Sequence, residues 1–506
     1  MLGKRWLLMS RPVPPRICIA LGFGNAAALL AHARAAADNG GRFLEFRLDY
    51  LKRPEQGIPA IQSFREEYPE VLVLATCRRQ PNHGEFSGGI EEQLRLLEAA
   101  AHAGAQWVDV EIESAAKAAR RLDALRSAAS LLVSYHNFTG TPAMEPVFRR
   151  LRRIPASAYK IVTMARKPSD NARLLALART HSRVPLVVMA MGEIGFPTRV
   201  ITPIFGGLYT YAAPESAGGT APGQISAHQL RNLYHFEKLS RSTKIYGVVA
   251  DPVGHSISPA VHNRAFQAVR HDAVYLPFLT PAEKLKDFFG AAEQLPVAGF
   301  SVTIPHKRKV LRYLDIIDPL ARRIGAVNTV WRKAGRWRGA NTDVHGVTGP
   351  LGRVIRLATS TVLVAGTGGG ARAAAFALCE AGAAVTITGR NPESARALAH
   401  ACGAEFAPAD QLADKHFDAL VHATPLGMHP HVDACFFADR IPAEVVFDMV
   451  YNPLETLLLR RAREQGKTVI EGLEMFLEQA VHQFEIWTGL GAPRSAMERA
   501  AREALS

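Results

Sequence analysis

A lysine inside an apolar stretch is the first residue of this sequence with the potential for covalent chemistry. Lys160 lies in the run SAYKIVTMA, residues 157–165, whose composition favours a buried strand. A lysine at such a position extends its ammonium group to water, forms an ion pair, or loses its proton. Only the neutral amine attacks a carbonyl. Lys160 is therefore either a nucleophile that forms a Schiff base or a strand residue whose head group reaches the surface.

Other polar residues recur at or near the ends of apolar runs on both sides of Lys160. They are Glu45, Arg47, Arg78, Glu111, His136, Arg199 and the loop residues Thr220 and Gln224. An imine acidifies the adjacent carbon, and His136 is the predicted base because imidazole titrates near neutral pH. Glu45 is predicted to orient that imidazole or to carry charge. Arg78, Arg199 and Gln224 would bind a carboxylate and hydroxyl groups of a substrate.

Eight short apolar runs, most of them followed by a helical stretch, indicate the fold that would bring these residues together. The runs are residues 17–21, 43–49, 71–78, 107–113, 130–137, 158–165, 185–192 and 205–212. They predict a (β/α)8 TIM barrel over residues 17–239, closed by a helix at about 226–238. Because such barrels carry their active sites at the carboxyl ends of the strands, the polar residues should share one cavity. Burial there, beside arginines, would favour the neutral amine of Lys160.

A glycine-rich turn marks a second chemical centre in the C-terminal half. GTGGGARA follows the apolar run VLVA and opens an alanine-rich stretch, and its turn contains Gly366, Gly368, Gly369, Gly370 and Ala371. Glycines let the backbone approach a pyrophosphate, and a helix N-terminus supplies N–H donors. The next strand ends near Arg390, where a chain that binds NAD usually has an acid, so NADP is predicted. A solvated loop arginine is the alternative reading of Arg390.

Lys307 and Asp343 are the predicted proton-transfer pair of this second centre. Lys307 ends the motif SVTIPHK, and Asp343 ends GANTD. A carboxylate can position an ammonium group against a substrate oxygen, and that group supplies the proton that accompanies a hydride. Each residue alone would be an ordinary surface charge, but the two occur together with the motif GHSISP.

Composition limits the class of protein. The chain has 506 residues, 48% of them hydrophobic. A chain of this length is too long to fold around one core, so several domains are predicted. The net charge of +14 comes from dispersed basic residues, which favours anionic small molecules over nucleic acid, or reflects solvated helix faces. No apolar run is long enough to span a bilayer. Five scattered cysteines without a CxxC pair indicate a reducing, cytoplasmic location.

The same patterns divide the chain. Residues 1–16 are predicted to be a disordered leader, because their apolar core is too short for a signal peptide. After the barrel, the sequence predicts an α/β substrate domain at 244–345 and a Rossmann domain at 346–470. A C-terminal helix within 471–506 is expected to return to the substrate domain.

The first half resembles type I 3-dehydroquinate dehydratase. The motifs LEFRLD, TCR, VDVEIE, SYHNF, YKIVTMA, MAMGEIGFPTR and TAPGQIS carry the resemblance. It implies that Lys160 forms an imine with 3-dehydroquinate and that His136 is the general acid and base, giving 3-dehydroshikimate. The substrate-binding or supporting residues would be Glu45, Arg47, Arg78, Arg199, Thr220 and Gln224. The loop at 78–89 departs from the family pattern, and Glu85 is the candidate for its acidic residue.

The second half resembles shikimate dehydrogenase. The motifs are VADPVGHSISPAVHN, SVTIPHK, AVNT, NTD, GTGGGARA, ATPLGM, DMVYNPLET and EGLEMFLEQAVHQFE. The resemblance implies that Lys307 and Asp343 are the catalytic pair. Residues that would bind shikimate or lie near it are Ser256, Ser258, Thr303, Asn328, Asn341, Tyr451, Gln479 and Gln483. Thr424, Met428 and Gly472 would adjoin the cofactor. His422 and Ala340 replace a family asparagine and tyrosine.

The sequence therefore predicts a bifunctional enzyme of aromatic amino-acid biosynthesis, with small-molecule substrates and either a monomeric or a homodimeric state. Two rivals stay open: an inactive sensor of pathway metabolites, and a quinate/shikimate dehydrogenase that prefers NAD. The retained Lys160, His136, Lys307 and Asp343 argue against the sensor. His422, His429 and His431 lack acidic or thiol partners at suitable spacing, so they are expected to be loop histidines and no metal site is predicted.

Overall fold

A computed structural model describes residues 13–118, 120–215, 219–220, 223–412, 414–437 and 440–505. The chain divides into two compact units, which are described separately. The first contains the chain up to Thr243 together with Asp287–Leu295, and the second contains Lys244–Lys286 and the chain from Pro296 onward. Most of the expected leader, residues 1–12, lies outside the described residues. No helix in the described ranges is long and apolar enough to cross a membrane.

Eight parallel strands form the sheet of the first unit. They are β1 (Ile17–Leu21), β2 (Phe43–Arg47), β3 (Leu72–Thr76), β4 (Trp107–Glu111), β5 (Ser130–Asn137), β6 (Ala158–Met164), β7 (Leu186–Met191) and β8 (Thr210–Ala212). Their order is β7-β6-β5-β4-β3-β2-β1-β8. A backbone hydrogen bond from Leu208 N to Leu186 O, 2.9 Å long, links the segment before β8 to β7. The predicted TIM-barrel fold is confirmed.

Helices connect successive strands on the outside of this sheet. They are α1 (Ala26–Asp38), α2 (Gly57–Glu67), α3 (Ile90–His102), α4 (Ile112–Ala115), α5 (Leu122–Ala128), α6 (Met144–Arg152), α7 (Pro168–Thr180) and α8 (Phe196–Ile201). Helix α1 begins after Asn25, whose side chain accepts a 2.8 Å hydrogen bond from Ala28 N. That bond satisfies one of the free N–H groups of the first turn, as an N-cap asparagine is suited to do.

Two sequence predictions for this unit are wrong in detail. The eighth strand occupies only Thr210–Ala212, because the 3-10 turn Thr202–Phe205 precedes it. The expected closing helix at 226–238 is broken into a π-type turn, Gln229–Leu233, and a 3-10 turn, Phe236–Lys238. His235 between them has φ 47°, a left-handed conformation that ends a right-handed helix.

Large apolar side chains fill the interior of the barrel below its polar end. The cluster includes Phe43, Trp107, Met189 and Tyr209, all at most 4% exposed. Because side chains alternate across a strand, the inward residues of β2, β4, β7 and the segment before β8 meet in this layer. The polar residues further along the same strands are therefore supported by a packed floor.

The second unit begins with a mixed six-stranded sheet. Its strands are β9 (Lys244–Ala250), β10 (Ala273–Leu279), β11 (Val297–Val302), β12 (Ile316–Ile317), β13 (Thr329–Lys333) and β14 (Arg336–Ala340). The order is β10-β9-β11-β13-β14-β12, with β9, β10 and β11 parallel and β13 antiparallel to both neighbours. Ala334 and Gly335 turn the β13–β14 hairpin with φ 53° and 76°, as a two-residue hairpin turn requires.

The helices that accompany this sheet are α9 (Ser258–Ala268), α11 (Pro319–Ile324) and α12 (Asp343–Gly352), while most of α10 (Leu285–Gln294) is grouped with the first unit. Helix α9 starts at Ser258, directly after the GHSI turn, and Pro259 occupies an early position where its missing N–H costs nothing. The sequence motif GHSISP is therefore the loop that leads from β9 into α9.

The remaining strands form a parallel Rossmann sheet. They are β15 (Thr361–Ala365), β16 (Ala384–Thr388), β17 (Glu405–Phe406), β18 (Phe417–His422), β19 (Ala443–Asp448) and β20 (Thr468–Ile470). Helices α13 (Gly369–Glu380), α14 (Pro392–Cys402) and α15 (Leu457–Glu464) connect them. The order β17-β16-β15-β18-β19-β20 reverses direction between β15 and β18. In such sheets, ligands bind in the crevice at this reversal.

Two helices, not one, end the chain: α16 (Gly472–Thr488) and α17 (Arg494–Leu505). The apolar face of α16 contributes Phe476, Phe484 and Trp487 to a core that also contains Tyr246 and Phe266 of β9 and α9. Burial of this aromatic face anchors the C-terminal segment on the mixed sheet.

Candidate active sites

One cavity at the carboxyl ends of the barrel strands contains eight of the nine polar residues expected there, and Glu111 is absent from its lining. Its lining includes Glu45, Arg47, Arg78, His136, Lys160, Arg199, Thr220 and Gln224, together with Tyr50, His83, Phe138, Val162, Met189, Met191 and Tyr211. Residues 221 and 222 of the TAPGQ loop lie outside the described residues. The barrel thus gathers side chains that are almost 180 positions apart in the sequence.

Lys160 is buried in the middle of this group. Its side chain is 3% exposed, and Nζ donates hydrogen bonds to Asp109 Oδ2 at 2.5 Å and to Tyr211 Oη at 3.0 Å. Glu45 Oε1 lies 3.9 Å from the same nitrogen. Three arginines line the same cavity, as expected, but the charged groups that pair with this amine are the two carboxylates.

Asp109 and Tyr211 were missed by the sequence reasoning. Asp109 lies on β4 two positions before Glu111, which was the acid singled out in the run WVDVEIE. Glu111 instead accepts hydrogen bonds from Arg79 N and Gln93 Nε2, at 3.1 Å and 2.6 Å. The sequence did contain a signal for Asp109, since an acid in the middle of an otherwise apolar strand is rarely buried without a charged partner.

The neighbouring groups of Lys160 stabilise one another's protonation states. Burial raises the pKa of Asp109, but the positive charges of Lys160 and Arg78 outweigh it and hold that pKa below its ordinary value. Glu45 accepts a hydrogen bond from Thr76 Oγ1 at 2.7 Å, which fixes its carboxylate. Burial, with Glu45 nearby, raises the pKa of Tyr211 well above its ordinary value, so the phenol keeps its proton.

His136 faces the same cavity from the neighbouring strand. In the β5–β6 ladder Ser134 pairs with Lys160 and His136 pairs with Val162. His136 is therefore two residues further toward the strand end, on the same face as Lys160. Burial lowers the pKa of His136 well below its ordinary value, and the charges of Arg78 and Lys160 lower it further. The imidazole is thus a neutral base at neutral pH.

The arginines of the cavity differ in their partners. Arg47 forms a two-point ion pair with Asp49, at 2.9 Å and 2.7 Å, so its guanidinium group already has a carboxylate. Arg199 is 1% exposed with Nη1 3.6 Å from Met189 Sδ, and burial lowers its pKa to about 10. Arg199 therefore remains a cation at neutral pH. Glu85, the candidate acid of the 78–89 loop, is exposed and outside the cavity lining.

The second centre is built around an ion pair between Lys307 and Asp343. Lys307 Nζ lies 2.6 Å from Asp343 Oδ2, and Asn328 Nδ2 donates to Asp343 Oδ1 at 2.7 Å. Asn341 Oδ1 accepts a hydrogen bond from Asp343 N at 3.1 Å. Asp343 begins α12, so the helix N-terminus adds favourable potential for its carboxylate. These hydrogen bonds bring four of the predicted residues together.

The other residues predicted to bind substrate in this unit lie on neighbouring loops. Ser256 Oγ accepts a hydrogen bond from Ser258 N at 3.3 Å, in the loop after β9. Thr303 follows the adjacent parallel strand β11, and its N–H donates to Val249 O at 3.2 Å. The carboxyl ends of β9 and β11 therefore meet, as the motifs GHSISP and SVTIPHK require.

Helix α16 contributes the remaining predicted side chains. Gln483 Nε2 lies 3.4 Å from Asn328 O, which ties α16 to the Lys307–Asp343 centre. Gln479 Nε2 donates to Phe476 O at 2.8 Å within the helix. The ring of Tyr451 packs against Phe476 with 5.0 Å between centroids. Gln483 is thus the predicted residue of α16 with a direct hydrogen bond to the centre.

The glycine turn after β15 fits a dinucleotide pyrophosphate. Gly366 has φ 130°, and a Cβ atom there would lie 2.7 Å from Ala423 O, so only glycine is accommodated. At Gly368 a Cβ atom would meet nothing within 4 Å, which leaves the approach to the α13 N-terminus open. At Gly369 it would lie 3.3 Å from Lys307 Cδ. The turn is therefore adjacent to Lys307.

The other residues predicted to bind the cofactor differ in environment. Arg390 is exposed at the end of β16, and Met428 is 41% exposed. Gly472 permits close packing, because a Cβ atom there would lie 2.3 Å from Val450 O. Thr424 Oγ1 lies 2.6 Å from His422 Nε2.

The expectation that His422 is a loop histidine is wrong. It ends β18, its side chain is 1% exposed, and its Nδ1 pairs with Asp448. His429 and His431 do lie in the loop that follows. Within the described ranges, no group of three or more histidine, cysteine or acidic residues is arranged to hold a metal ion.

The folds and the two sites define an α/β enzyme with two chemical centres. One centre is a buried lysine in a TIM barrel, and the other is an ion pair beside the dinucleotide turn of a Rossmann sheet. Models of known families match both units. The type I 3-dehydroquinase model matches residues 17–241, the shikimate dehydrogenase substrate binding domain matches 248–330, and the shikimate 5'-dehydrogenase C-terminal domain matches 472–502.

Similar proteins include chains that combine both halves. A bifunctional 3-dehydroquinate dehydratase/shikimate dehydrogenase of Arabidopsis thaliana is 34% identical, over 95% of this chain and 83% of its own. The shikimate biosynthesis protein AroDE of Chlamydia pneumoniae is 31% identical, over 83% of this chain and 86% of its own. A crystal structure of shikimate dehydrogenase in complex with NADP+ is 36% identical, with TM-score 0.51, and covers 53% of this chain and 97% of that one. The chain belongs to the bifunctional 3-dehydroquinate dehydratase/shikimate dehydrogenase family.

Proposed function

We propose that the first unit dehydrates 3-dehydroquinate through an imine at Lys160 and that the second reduces the resulting ketone to shikimate. The observation that carries the first step is the burial of Lys160 Nζ in a cavity lined by seven of the other predicted residues. Family membership supports the pairing of two consecutive reactions in one chain. The boundaries that follow are 17–239 for the dehydratase, 244–345 for the substrate domain, 346–470 for the Rossmann domain and 471–506 for the C-terminal segment.

The first task of the barrel site is to free the amine. Asp109, 2.5 Å from Lys160 Nζ, is the nearest acceptor for the proton that the ammonium group gives up on substrate binding, and the neutral amine then adds to the substrate carbonyl. Loss of water from the adduct gives the iminium. Tyr211, which stays protonated, keeps a hydrogen-bonding oxygen 3.0 Å from the same nitrogen throughout.

Proton transfer at carbon falls to His136. Its neutral ring removes the proton from the carbon next to the iminium and gives an enamine, and the resulting imidazolium returns a proton to the departing hydroxyl. Water leaves, and hydrolysis of the remaining iminium restores Lys160 and releases the ketone. Because burial lowers the pKa of His136, the ring is a base in the free enzyme and a strong acid once charged.

Substrate binding in the barrel is assigned to the buried arginines and to the polar side chains of Thr220 and Gln224 in the same cavity. Arg199, a cation almost excluded from water, would pair with the substrate carboxylate, because charge-assisted bonds are strongest where water is excluded. Thr220 and Gln224, whose side-chain oxygens lie 3.5 Å apart, would bind hydroxyl groups. Arg47, already paired with Asp49, supports the site rather than contacting substrate.

In the second unit we propose that the glycine turn and α13 N-terminus bind the pyrophosphate of NADP, and that Arg390 binds its 2′-phosphate. NADP in its reduced form, when bound, supplies a hydride to a carbonyl carbon. Lys307 supplies the proton for the carbonyl oxygen, and Asp343 holds the ammonium group in place at 2.6 Å. Asn328 and Asn341 fix Asp343, and Thr424, Met428 and Gly472 shape the cofactor crevice.

Substrate recognition in this unit is assigned to the loops around the ion pair. The hydroxyl groups of Ser256, Ser258 and Thr303 suit the hydroxyls and carboxylate of shikimate. Gln483 is buried, and its Nε2 lies 3.4 Å from Asn328 O, so its amide is held beside the ion pair. A side-chain amide both donates and accepts hydrogen bonds, which suits a substrate hydroxyl.

The cellular location and the binding partners of the protein are also part of the proposal. We infer a cytoplasmic enzyme, supported by five cysteines that are all free. Its partners are the small molecules 3-dehydroquinate, 3-dehydroshikimate and shikimate. The choice between a monomer and a homodimer stays a prediction.

A coupled assay tests the proposed function. The purified chain is supplied with 3-dehydroquinate and NADPH, and NADPH oxidation is followed with chromatographic detection of shikimate. The proposal requires one mole of shikimate per mole of NADPH oxidised. Accumulation of 3-dehydroshikimate without NADPH oxidation would refute the second half, and no consumption of 3-dehydroquinate would refute the first.

A further inference from the structure

A buried histidine at the carboxyl edge of the Rossmann sheet has no role in the chemistry above. His422 is the last residue of β18, and in the parallel ladder it pairs with Ala365 of β15 on one side and Asp448 of β19 on the other. Its side chain is 1% exposed. The ring therefore lies at the reversal of strand order, where the cofactor crevice opens.

The hydrogen bonds of Asp448 determine how this ring is oriented. Asp448 Oδ2 accepts from Thr456 Oγ1 at 2.6 Å, and Oδ1 accepts from Val450 N at 3.1 Å. His422 Nδ1 lies 2.9 Å from Oδ1. An ionised carboxylate only accepts hydrogen bonds, so Nδ1 carries a hydrogen and donates it. Asp448 thereby fixes both the ring plane and the position of Nε2.

The other ring nitrogen reaches the loop that follows the strand. His422 Nε2 lies 2.6 Å from Thr424 Oγ1, and that oxygen also accepts a hydrogen bond from Leu426 N at 3.3 Å. The hydroxyl of Thr424 is therefore held between the ring and the backbone of its own turn. A chain of contacts runs from Asp448 through the ring to this turn.

The turn held in this way adjoins the glycine turn of the cofactor crevice. Ala423 N donates to Ala365 O at 2.8 Å, and a Cβ atom on Gly366 would lie 2.7 Å from Ala423 O. A displacement of residues 423–428 would therefore change the space available beside Gly366. Met428, 41% exposed, lies at the far end of the same turn.

We propose that His422 is a positioning residue for NADP, which holds the 423–428 turn against the glycine turn through Thr424. The inference rests on the proposed binding of NADP to this unit. The ring acts through the hydroxyl of Thr424 and not by contact with substrate, so its removal weakens cofactor binding and leaves shikimate binding unchanged.

The test is a double-mutant cycle on the full chain with His422→Phe, Thr424→Val and the combined variant. NADP+ affinity is measured by calorimetric titration, and KM for shikimate and dehydratase activity are measured on the same preparations. Loss of one neutral hydrogen bond predicts that each single variant weakens NADP+ binding about fivefold to tenfold. The combined variant should be no weaker than either single variant, because both remove the same contact.

A matched control separates positioning from general stability. Val421→Ala shortens a side chain of the same strand that belongs to the core on the face of the sheet opposite His422. It should lower the melting temperature without changing the NADP+ affinity. NADP+ affinity within twofold of wild type in His422→Phe, or multiplied losses in the combined variant, would overturn the inference alone. Failure of the wild-type chain to bind NADP+ would overturn the proposed function and this inference with it.

Discussion

The two lysines with proposed chemical roles each form an ion pair with an aspartate, but one pair is buried and the other is partly exposed to water. Lys160 has Asp109 at 2.5 Å and is 3% exposed inside a closed sheet, while Lys307 has Asp343 at 2.6 Å and is 19% exposed in a loop. A buried ammonium depends on its partner because water cannot replace it. A loop lysine keeps water as a second partner. Under the proposed function, the same pair of residue types would serve a covalent step in the barrel and a proton transfer in the second unit.

The largest expected effect is a reciprocal loss of the two activities. Lys160→Met should abolish dehydratase activity, by about 10⁴-fold or more, because removal of a nucleophile removes the whole covalent route. It should leave the dehydrogenase reaction with 3-dehydroshikimate unchanged, and Lys307→Met should show the opposite pattern. Separate assays of the two steps measure this. Loss of both activities in either variant would show that the centres are not independent.

Removal of the carboxylate partner in the second unit should have the next largest effect. Asp343→Asn keeps the hydrogen bond to Asn328 but weakens the hold on Lys307, and we expect kcat of the dehydrogenase to fall about 10²–10⁴-fold. Steady-state kinetics with shikimate and NADP+ measure the change. A rate within threefold of wild type would mean that Asp343 only binds substrate or stabilises the loop.

In the barrel, removal of the carboxylate partner of Lys160 should lower the free energy of unfolding as well as the dehydratase rate. Asp109→Asn leaves a buried ammonium with Glu45 at 3.9 Å, and breaking such a pair costs about 3–5 kcal/mol. Denaturant unfolding, followed by a probe in the first unit, measures the loss. The control is Asp123→Asn, which removes an exposed ion pair with Arg126 and should cost less than about 1 kcal/mol.

The sign of the pH dependence follows from the lowered pKa of Asp109. Its stabilisation is fully present above the ordinary carboxyl pKa of about 3.9 and is lost as pH falls through the lower pKa of the folded state. The gap in stability between wild type and Asp109→Asn should therefore narrow only below about pH 4. If the stability difference narrowed between pH 6 and 8 instead, the stabilisation would depend on the titration of a group other than Asp109.

A smaller effect is expected at the cofactor. Arg390→Ala should raise KM for NADPH about 10–100-fold, because charge-assisted hydrogen bonds contribute about 1.5–3 kcal/mol, and should leave NADH kinetics unchanged. The control is Arg396→Ala, in the helix that follows, whose guanidinium lies over the ring of Phe406. Equal losses for NADPH and NADH in Arg390→Ala would refute its contact with the 2′-phosphate.

The smallest change concerns the acid side of the dehydratase pH profile. The lowered pKa of His136 means that its ring stays neutral in the free enzyme well below its ordinary value of about 6.5. The fall in dehydratase kcat/KM on the acid side, which reflects protonation of His136, should therefore occur below pH 6.5. NMR titration of the His136 ring should give a pKa in the same range. A ring that titrates at or above pH 6.5 would place the imidazole in a wetter site than the structure gives it.

Much of the fold could be predicted from periodicity and turn residues. Alternating strand and helix patterns identified both the barrel and the Rossmann sheet, because each strand is a short buried run with clear boundaries. The helix at 226–238 could not be predicted correctly, since its residues have helical propensity and the left-handed conformation of His235, which divides it, leaves no mark in the residue types. The eighth strand was overestimated because apolar residues before Thr210 fill the barrel floor rather than the ladder.

The candidate sites were predicted unevenly. Strand-end positions brought Lys160 and His136 to one cavity because parallel strands end at one edge. Asp109 was missed because the partner of a buried charge depends on register across several strands, which a linear pattern does not contain. His422 was misplaced for the same reason, since its partner Asp448 is 26 residues away on the next strand.

The most direct test of the central claim is borohydride trapping during turnover. The chain is mixed with 3-dehydroquinate and sodium borohydride, digested, and mapped by mass spectrometry. The account predicts a stable substrate adduct on Lys160, none in Lys160→Met, and loss of dehydratase activity in proportion to labelling. A fully active dehydratase with unlabelled Lys160, or an adduct on another lysine, would contradict it.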